Sequence, residues 1–88
     1  MKRLYKVKNN EQKCNGFTNA KTWDCHLWLM NTESMYKATL EQVRNGVRGY
    51  ELATFIKTLF YKNGVNYDEL AEDFVRYYEE DIVPFENR

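Results

Sequence analysis

The sequence contains little of what a metal-binding protein needs. Its 88 residues include one histidine and two cysteines. Cys14 and Cys25 do not form a CxxC motif, so free thiols in a reducing cytosol are the simplest interpretation. A metal site built from Cys14, Cys25 and His26 would be one ligand short, and the two neighbouring residues 25 and 26 would point in different directions on a helix. We therefore predict no metal and no cofactor.

Catalytic motifs are also absent from the sequence. There is no glycine-rich phosphate loop and no Ser/His/Asp arrangement. A catalytic histidine needs a carboxylate or a nucleophile within hydrogen-bond reach, and Asp24 is two positions from His26, on another face of the helix. The sequence therefore predicts a packed or surface histidine, no catalytic residues and no enzymatic activity.

Long apolar runs are missing as well. No segment has the roughly 18 uninterrupted apolar residues that a transmembrane helix needs. The N-terminus, at residues 1–8, has the positive charge of a signal peptide, but no apolar stretch follows it. We therefore expect a cytoplasmic protein that does not associate with a membrane.

The formal net charge is zero, but the charges are unevenly distributed. Residues 1–50 carry nine Lys and Arg against four Asp and Glu, whereas residues 51–88 carry four against nine. Such asymmetry is typical of a basic arm or an acidic interaction face. It is more often found where opposite charges simply face solvent or pair within one fold, and both interpretations stay open.

What the chain does have is apolar and aromatic residues. Hydrophobic residues make up 43% of the sequence and aromatic residues 16%. Because each aromatic ring buries roughly 150–250 Å², this supply is sufficient for one small core. A chain of 88 residues is too short for two cores, so we predict a single domain over 1–88.

Apolar residues recur at spacings of three and four in four segments, which predicts four helices. These segments are residues 19–30, 32–45, 50–62 and 66–83. In the first, the predicted buried stripe is Ala20, Trp23, Leu27 and Met30. The short links between segments favour an antiparallel array, so the predicted fold is mostly all-α, with about four helices after an irregular or extended segment at 1–17.

Capping and breaking residues predict where these helices begin and end. Thr18 or Asn19 can cap the first helix, and Asn66 can cap the fourth, with Glu69 reaching back to the N–H of the capping residue. Asn63-Gly64 is expected to end the third helix. Pro84 is expected to close the fourth, because the residue before a proline is pushed out of helical geometry. A short alternation at 4–8 is a candidate edge strand.

Two blocks of the sequence resemble a family of small, uncharacterised proteins from phages, plasmids and bacterial mobile elements. The family signature runs approximately N-G-[FY]-T-N-x-x-T-W-x-x-x-L-W-L-x-N and is soon followed by a tyrosine. Here it is matched by Asn15-Gly16-Phe17-Thr18-Asn19, Thr22-Trp23, Leu27-Trp28-Leu29-Met30-Asn31 and Tyr36. A weaker match covers residues 64–72. The resemblance implies a helical domain in a mobile-element setting, and it transfers no catalytic residue.

The predicted partner-binding surface is the acidic fourth helix. Its carboxylates can steer and pair with a basic groove, and its tyrosines can supply buried contact area, although a plain solvated face has the same composition. Trp28 lies outside this helix and is either core or a partner contact, whereas Trp23 shares the apolar stripe and is interpreted as core. The candidate partner-binding residues are Glu72, Asp73, Tyr77, Tyr78, Glu79, Glu80 and Trp28.

The leading hypothesis is a non-enzymatic phage or mobile-element protein. It would bind and inhibit a host protein such as a nucleic-acid-binding defence complex, in the manner of an anti-CRISPR or anti-restriction protein. The alternative is a nucleic-acid-binding accessory protein whose basic N-terminal arm contacts phosphates. The arm consists of Lys2, Arg3, Tyr5, Lys6, Lys8 and Lys13.

Overall fold

The computed structural model describes residues 16–86, which form four main helices, a π-helical turn and one short helix. The elements are α1 (Ala20–Asn31), α2 (Glu33–Arg44), α3 (Gly49–Phe60), α4 (Tyr67–Tyr77), the π-helical turn (Tyr78–Ile82) and α5 (Val83–Glu86). The predicted all-α architecture with four principal helices is confirmed. The candidate strand at 4–8 and Cys14 lie outside the described residues.

One buried cluster is shared by all four main helices. The closest pairing is between α3 and α4, while α1 packs against α2 and α4, and α2 also packs against α3. The predicted apolar stripes of α2, α3 and α4 contribute as expected. The buried apolar residues are Phe17, Cys25, Leu29, Val43, Leu52, Ala53, Ile56, Leu70, Ala71 and Phe74.

The buried face of α1 differs from the predicted one. Ala20 and Leu27 face solvent, although Trp23 and Met30 of the predicted stripe do pack against the core. The helix is apolar on nearly all sides, so two faces fit the same helical period and spacing alone does not choose between them. Contacts with α2 and α4 select the face that carries Thr22, Cys25 and Leu29.

Two interlocked helix caps join the start of α1 to the start of α4. Asn19 Oδ1 accepts hydrogen bonds from the Thr22 N–H and the Thr22 hydroxyl, both at 2.8 Å. The same hydroxyl oxygen accepts the Asn66 N–H at 2.9 Å. Asn66 in turn caps α4, since its Oδ1 accepts the Glu69 N–H at 3.1 Å. The predicted caps at Asn19 and Asn66 are confirmed, and the buried Thr22 links them.

The capping pattern predicts that Glu69 reaches back to the N–H of Asn66, but the structure shows no such contact. Glu69 Oε1 instead accepts the N–H of Thr18 at 2.8 Å, and Asn66 Nδ2 donates to Thr18 Oγ1 at 3.3 Å. The incoming chain before α1 supplies a competing donor that the local pattern does not contain. As a result, the segment before α1 and the segment before α4 meet at one hydrogen-bonded junction.

Helix α3 ends at Phe60, before the predicted Asn63-Gly64 stop. Tyr61 takes the left-handed conformation, with φ 54°, and its N–H donates to the Lys57 carbonyl at 2.8 Å. A bulky residue rarely adopts this conformation. Tyr67 stabilises the turn from α4, because its hydroxyl accepts the Lys62 N–H at 3.0 Å and lies 2.9 Å from the Lys62 carbonyl oxygen. The pattern of capping and breaking residues does not predict this contact, although Tyr67 is only five residues beyond Lys62.

The prediction that Pro84 closes the fourth helix is wrong. The chain passes through the π-helical turn, in which the Val83 N–H donates to the Tyr78 carbonyl, and then continues as α5. The wider turn immediately before the proline rearranges the carbonyls that an α-helical proline would clash with, so the backbone stays helical. An ion pair between Arg44 and Glu86 ties α5 to the end of α2.

Candidate functional site

Three of the predicted carboxylates lie exposed on α4 and the π-helical turn. Glu72, Glu79 and Glu80 all face solvent. Within residues 16–86, none of the three forms an ion pair. Asp68 and Asp81 are exposed at either end of the same stretch. These side chains therefore form an acidic edge that is open to a partner.

Asp73 occupies a different position, in the contact between α1 and α4. Its Oδ2 lies 3.3 Å from His26 Nδ1, and its Oδ1 lies 3.8 Å from the Arg76 guanidinium. The Phe17 ring packs against the imidazole, with the ring centroids 4.8 Å apart. Sequence reasoning compared His26 with Asp24 and the two cysteines, and so missed a partner on α4.

The protonation of His26 is expected to make stability depend on pH. Burial lowers the pKa of His26 below its ordinary value of 6.5, and the nearby Asp73 carboxylate only partly opposes this. A lowered pKa means that the folded state resists protonation, so this contribution to stability is present above 6.5 and is lost as the pH falls below it.

The measurement is the free energy of unfolding at about pH 7.5 and about pH 5.5. The wild type is expected to lose stability on acidification, and His26→Gln should reduce the loss. Asp73→Asn should enlarge it, because the Asp73 carboxylate raises the pKa of His26 and is removed. If acidification instead stabilised the wild type but not His26→Gln, the ion pair with Asp73 would outweigh burial.

Tyr77 faces inward rather than toward a partner. Its hydroxyl lies 2.6 Å from the Tyr36 hydroxyl, and its ring packs edge-on against Phe74 with centroids 5.7 Å apart. Burial, followed by the Tyr36 hydrogen bond, raises the pKa of Tyr77 to about 12. Tyr78 is half-buried, with the Arg48 guanidinium 6.0 Å from its ring centroid. Neither ring stands out as an exposed anchor.

A groove of about 270 Å³ runs between the start of α3 and the outer side of α4. Its accessible apolar surface comes mainly from the half-buried Val75, because the other apolar lining residue, Ala71, is only 1% exposed. Charged side chains of both signs surround this apolar surface. The guanidinium of Arg48 is held in place by hydrogen bonds to the Val43 and Val47 carbonyls, at 2.8 and 3.0 Å. The groove residues are Arg48, Gly49, Ala71, Glu72, Val75, Arg76 and Glu79.

An exposed aromatic side chain that the sequence analysis did not select lies at the start of α3. Tyr50 directly follows the groove residue Gly49 and is 80% exposed. It precedes the apolar stripe of α3, so the spacing within this helix could have indicated that Tyr50 is off the buried face.

Trp28 is exposed, which was one of its two predicted positions. Its side chain is 57% accessible, and the adjacent Leu27 is 36% accessible. Both line a cleft of about 330 Å³ together with Asp24, Asn31 and Thr32. This second candidate surface lies on α1 and shares no residue with the groove beside α4.

The described part of the chain holds no candidate metal centre. Over residues 16–86, no three His, Cys, Asp or Glu side chains are grouped so that they could bind a metal ion. None of the helices in this range has the length and apolar character to cross a membrane. Cys25 is fully buried, and burial raises the pKa of its thiol. The basic N-terminal arm lies outside the described residues.

Comparisons with protein-family models, with curated proteins and with solved structures find no match for this chain. The resemblance to the mobile-element family therefore stays an interpretation of the sequence motifs.

Proposed function

We propose that this chain is a non-enzymatic protein of a phage or mobile element that binds and inhibits a host protein. The partner would carry a basic surface, as a CRISPR effector or a restriction enzyme does where it holds nucleic acid. The observation that best supports this is the exposed acidic edge beside an apolar groove. The mobile-element setting is supported only by the sequence resemblance.

The acidic edge provides attraction and orientation. Glu72 and Glu79 are separated by about 10 Å along the helix axis, at a rise of 1.5 Å per residue, and both border the groove. Two carboxylates at this separation can pair with two cationic side chains of a partner and accelerate its approach. The same charges repel nucleic-acid phosphates, which favours a protein partner for this surface.

The groove between the charges provides contact area and selectivity. The half-buried Val75 offers an apolar surface to a partner side chain. Arg48 and Arg76 border the same groove and repel cations that approach in the wrong register. The expected partner surface is therefore basic but not uniformly so.

Inhibition is tested in bacteria with an active CRISPR or restriction system, by the plating efficiency of a targeted phage. Expression of the wild-type chain is expected to raise plating efficiency. The double variant Glu72→Lys/Glu79→Lys should abolish the rise, because reversing two interfacial charges lowers affinity by on the order of a hundredfold.

The matched control is Glu33→Lys/Glu41→Lys. These two glutamates are exposed on α2, so the control changes net charge equally without touching the acidic edge. It should inhibit as the wild type does. If both double variants inhibit fully, the acidic edge is not the inhibitory surface. If both lose inhibition equally, net charge rather than this edge is responsible for inhibition.

A further inference from the structure

The cleft that contains Trp28 combines an aromatic face with negative charge. Trp28 and Asp24 are four residues apart on α1, so their side chains are neighbours on the helix surface, and both line the cleft. Leu27 adds apolar area beside them. Within residues 16–86, Asp24 forms no ion pair.

The cleft lies where α1 ends and α2 begins. Asn31 is the last residue of α1, Thr32 is both its C-cap and the N-cap of α2, and both residues line the cleft. Because the negative end of one helix dipole meets the positive end of the other here, the negative charge of the cleft comes from Asp24 rather than from the helix ends. The side-chain oxygens of Asn31 and Thr32 are additional hydrogen-bond acceptors.

We propose that this cleft binds an arginine side chain of a protein partner. A planar guanidinium can stack on the exposed Trp28 ring while its N–H groups donate to the Asp24 carboxylate. The aliphatic part of the arginine side chain can pack on Leu27. Lysine fits less well, because its compact ammonium is more strongly hydrated and cannot stack as a plane.

Two lysines of this chain oppose that binding and so provide a sharp test. Lys21 and Lys62 line a neighbouring cleft of about 360 Å³ that also contains Asp24. Lys21 Nζ lies 3.4 Å from the Asn63 carbonyl, whereas no hydrogen bond or ion pair within residues 16–86 holds the Lys62 ammonium. Both reduce the negative potential at Asp24. Removing the Lys62 charge should therefore strengthen arginine binding.

The test is a titration of the full chain with N-acetylargininamide, followed by the indole N–H signals in a proton–nitrogen NMR spectrum. The chain has two tryptophans, so Trp28→Phe identifies the Trp28 signal by its loss. That signal is expected to shift saturably with the arginine probe. It should not shift with N-acetylcitrullinamide, which has nearly the same shape but no charge.

Two variants then test the charges. Asp24→Asn is expected to weaken binding by about threefold, and Lys62→Gln to strengthen it by a similar factor, as exposed charge pairs do. Preserved dispersion of the backbone signals shows that each variant is folded. An unchanged Trp28 signal in the presence of arginine would overturn the proposal. So would equal shifts with arginine and citrulline, or an affinity that neither variant alters.

This site is independent of the inhibitory function proposed above. The double variant Glu72→Lys/Glu79→Lys should leave the Trp28 titration unchanged, since the two surfaces have no residue in common. A protein that binds the arginine probe but has no inhibitory activity would retain this inference and contradict the other.

Discussion

Replacing Phe74 with alanine is expected to cost about 3–5 kcal/mol of the free energy of unfolding, the largest effect of any single change considered. Phe74 is 1% exposed and lies at the contact of α4 with the core. Its ring centroid is 5.8 Å from that of Tyr36 and 5.7 Å from that of Tyr77, so truncation removes both aromatic contacts and leaves a cavity.

This loss of stability should make the Phe74→Ala variant partly or completely unfolded at room temperature. Small domains have total stabilities of about 5–15 kcal/mol, and a chain of this size belongs at the lower end. Urea unfolding followed by circular dichroism measures the change. Tyr50→Ala is the control, because the Tyr50 side chain is 80% exposed and its loss should change stability by no more than about 0.5 kcal/mol. Similar effects for the two variants would contradict the placement of Phe74 in the core.

The second large effect is expected for Thr22→Val, at about 1–3 kcal/mol. Valine has nearly the shape of threonine, so the change removes the hydroxyl without creating a cavity. The hydroxyl oxygen accepts the Asn66 N–H at 2.9 Å, and the hydroxyl also donates to Asn19 Oδ1 at 2.8 Å. Valine leaves the Asn66 N–H without this partner, and an unsatisfied buried donor costs about 1–3 kcal/mol.

A second buried threonine provides the matched control for this change. Thr39 and Thr22 both have 0% exposure, but Thr39 Oγ1 has no hydrogen-bond partner within residues 16–86. Thr39→Val should therefore be neutral or stabilising, by up to about 1 kcal/mol. The comparison is made by thermal or urea unfolding of the two variants in parallel. Equal destabilisation by both would show that the hydroxyl of Thr22 is not what joins the two caps.

Local chemistry was sufficient to predict the helices and two of their caps. Asn19 and Asn66 have the short polar side chains that accept orphan N–H groups, and their roles follow from sequence position. The burial of Thr22 and its bond to the Asn66 N–H could not be predicted, because this contact joins segments that are distant in the chain. The same limit explains Glu69, whose carboxylate is used by Thr18 rather than by its own helix cap.

The candidate site was predictable in its charge but not in its aromatic residues. Glu72 and Glu79 are exposed because they lie off the apolar stripe of α4, which the spacing indicates. Tyr77 was expected to contact a partner, but its bond to Tyr36 on α2 depends on packing that no local pattern contains. Trp28 had two possible positions because α1 is apolar nearly all round, and only the arrangement of the other helices leaves it exposed.

Affinity capture from a nuclease-treated bacterial lysate tests whether the acidic edge binds a basic host protein. Immobilised wild type, Glu72→Lys/Glu79→Lys and Glu33→Lys/Glu41→Lys are compared at moderate salt, and bound proteins are quantified by mass spectrometry. We predict that the wild type and the α2 control each capture one host protein in a stoichiometric amount. The acidic-edge variant should not capture it. Equal capture by all three would contradict the claim, and recovery of only nucleic acid from an untreated lysate would favour the basic N-terminal arm.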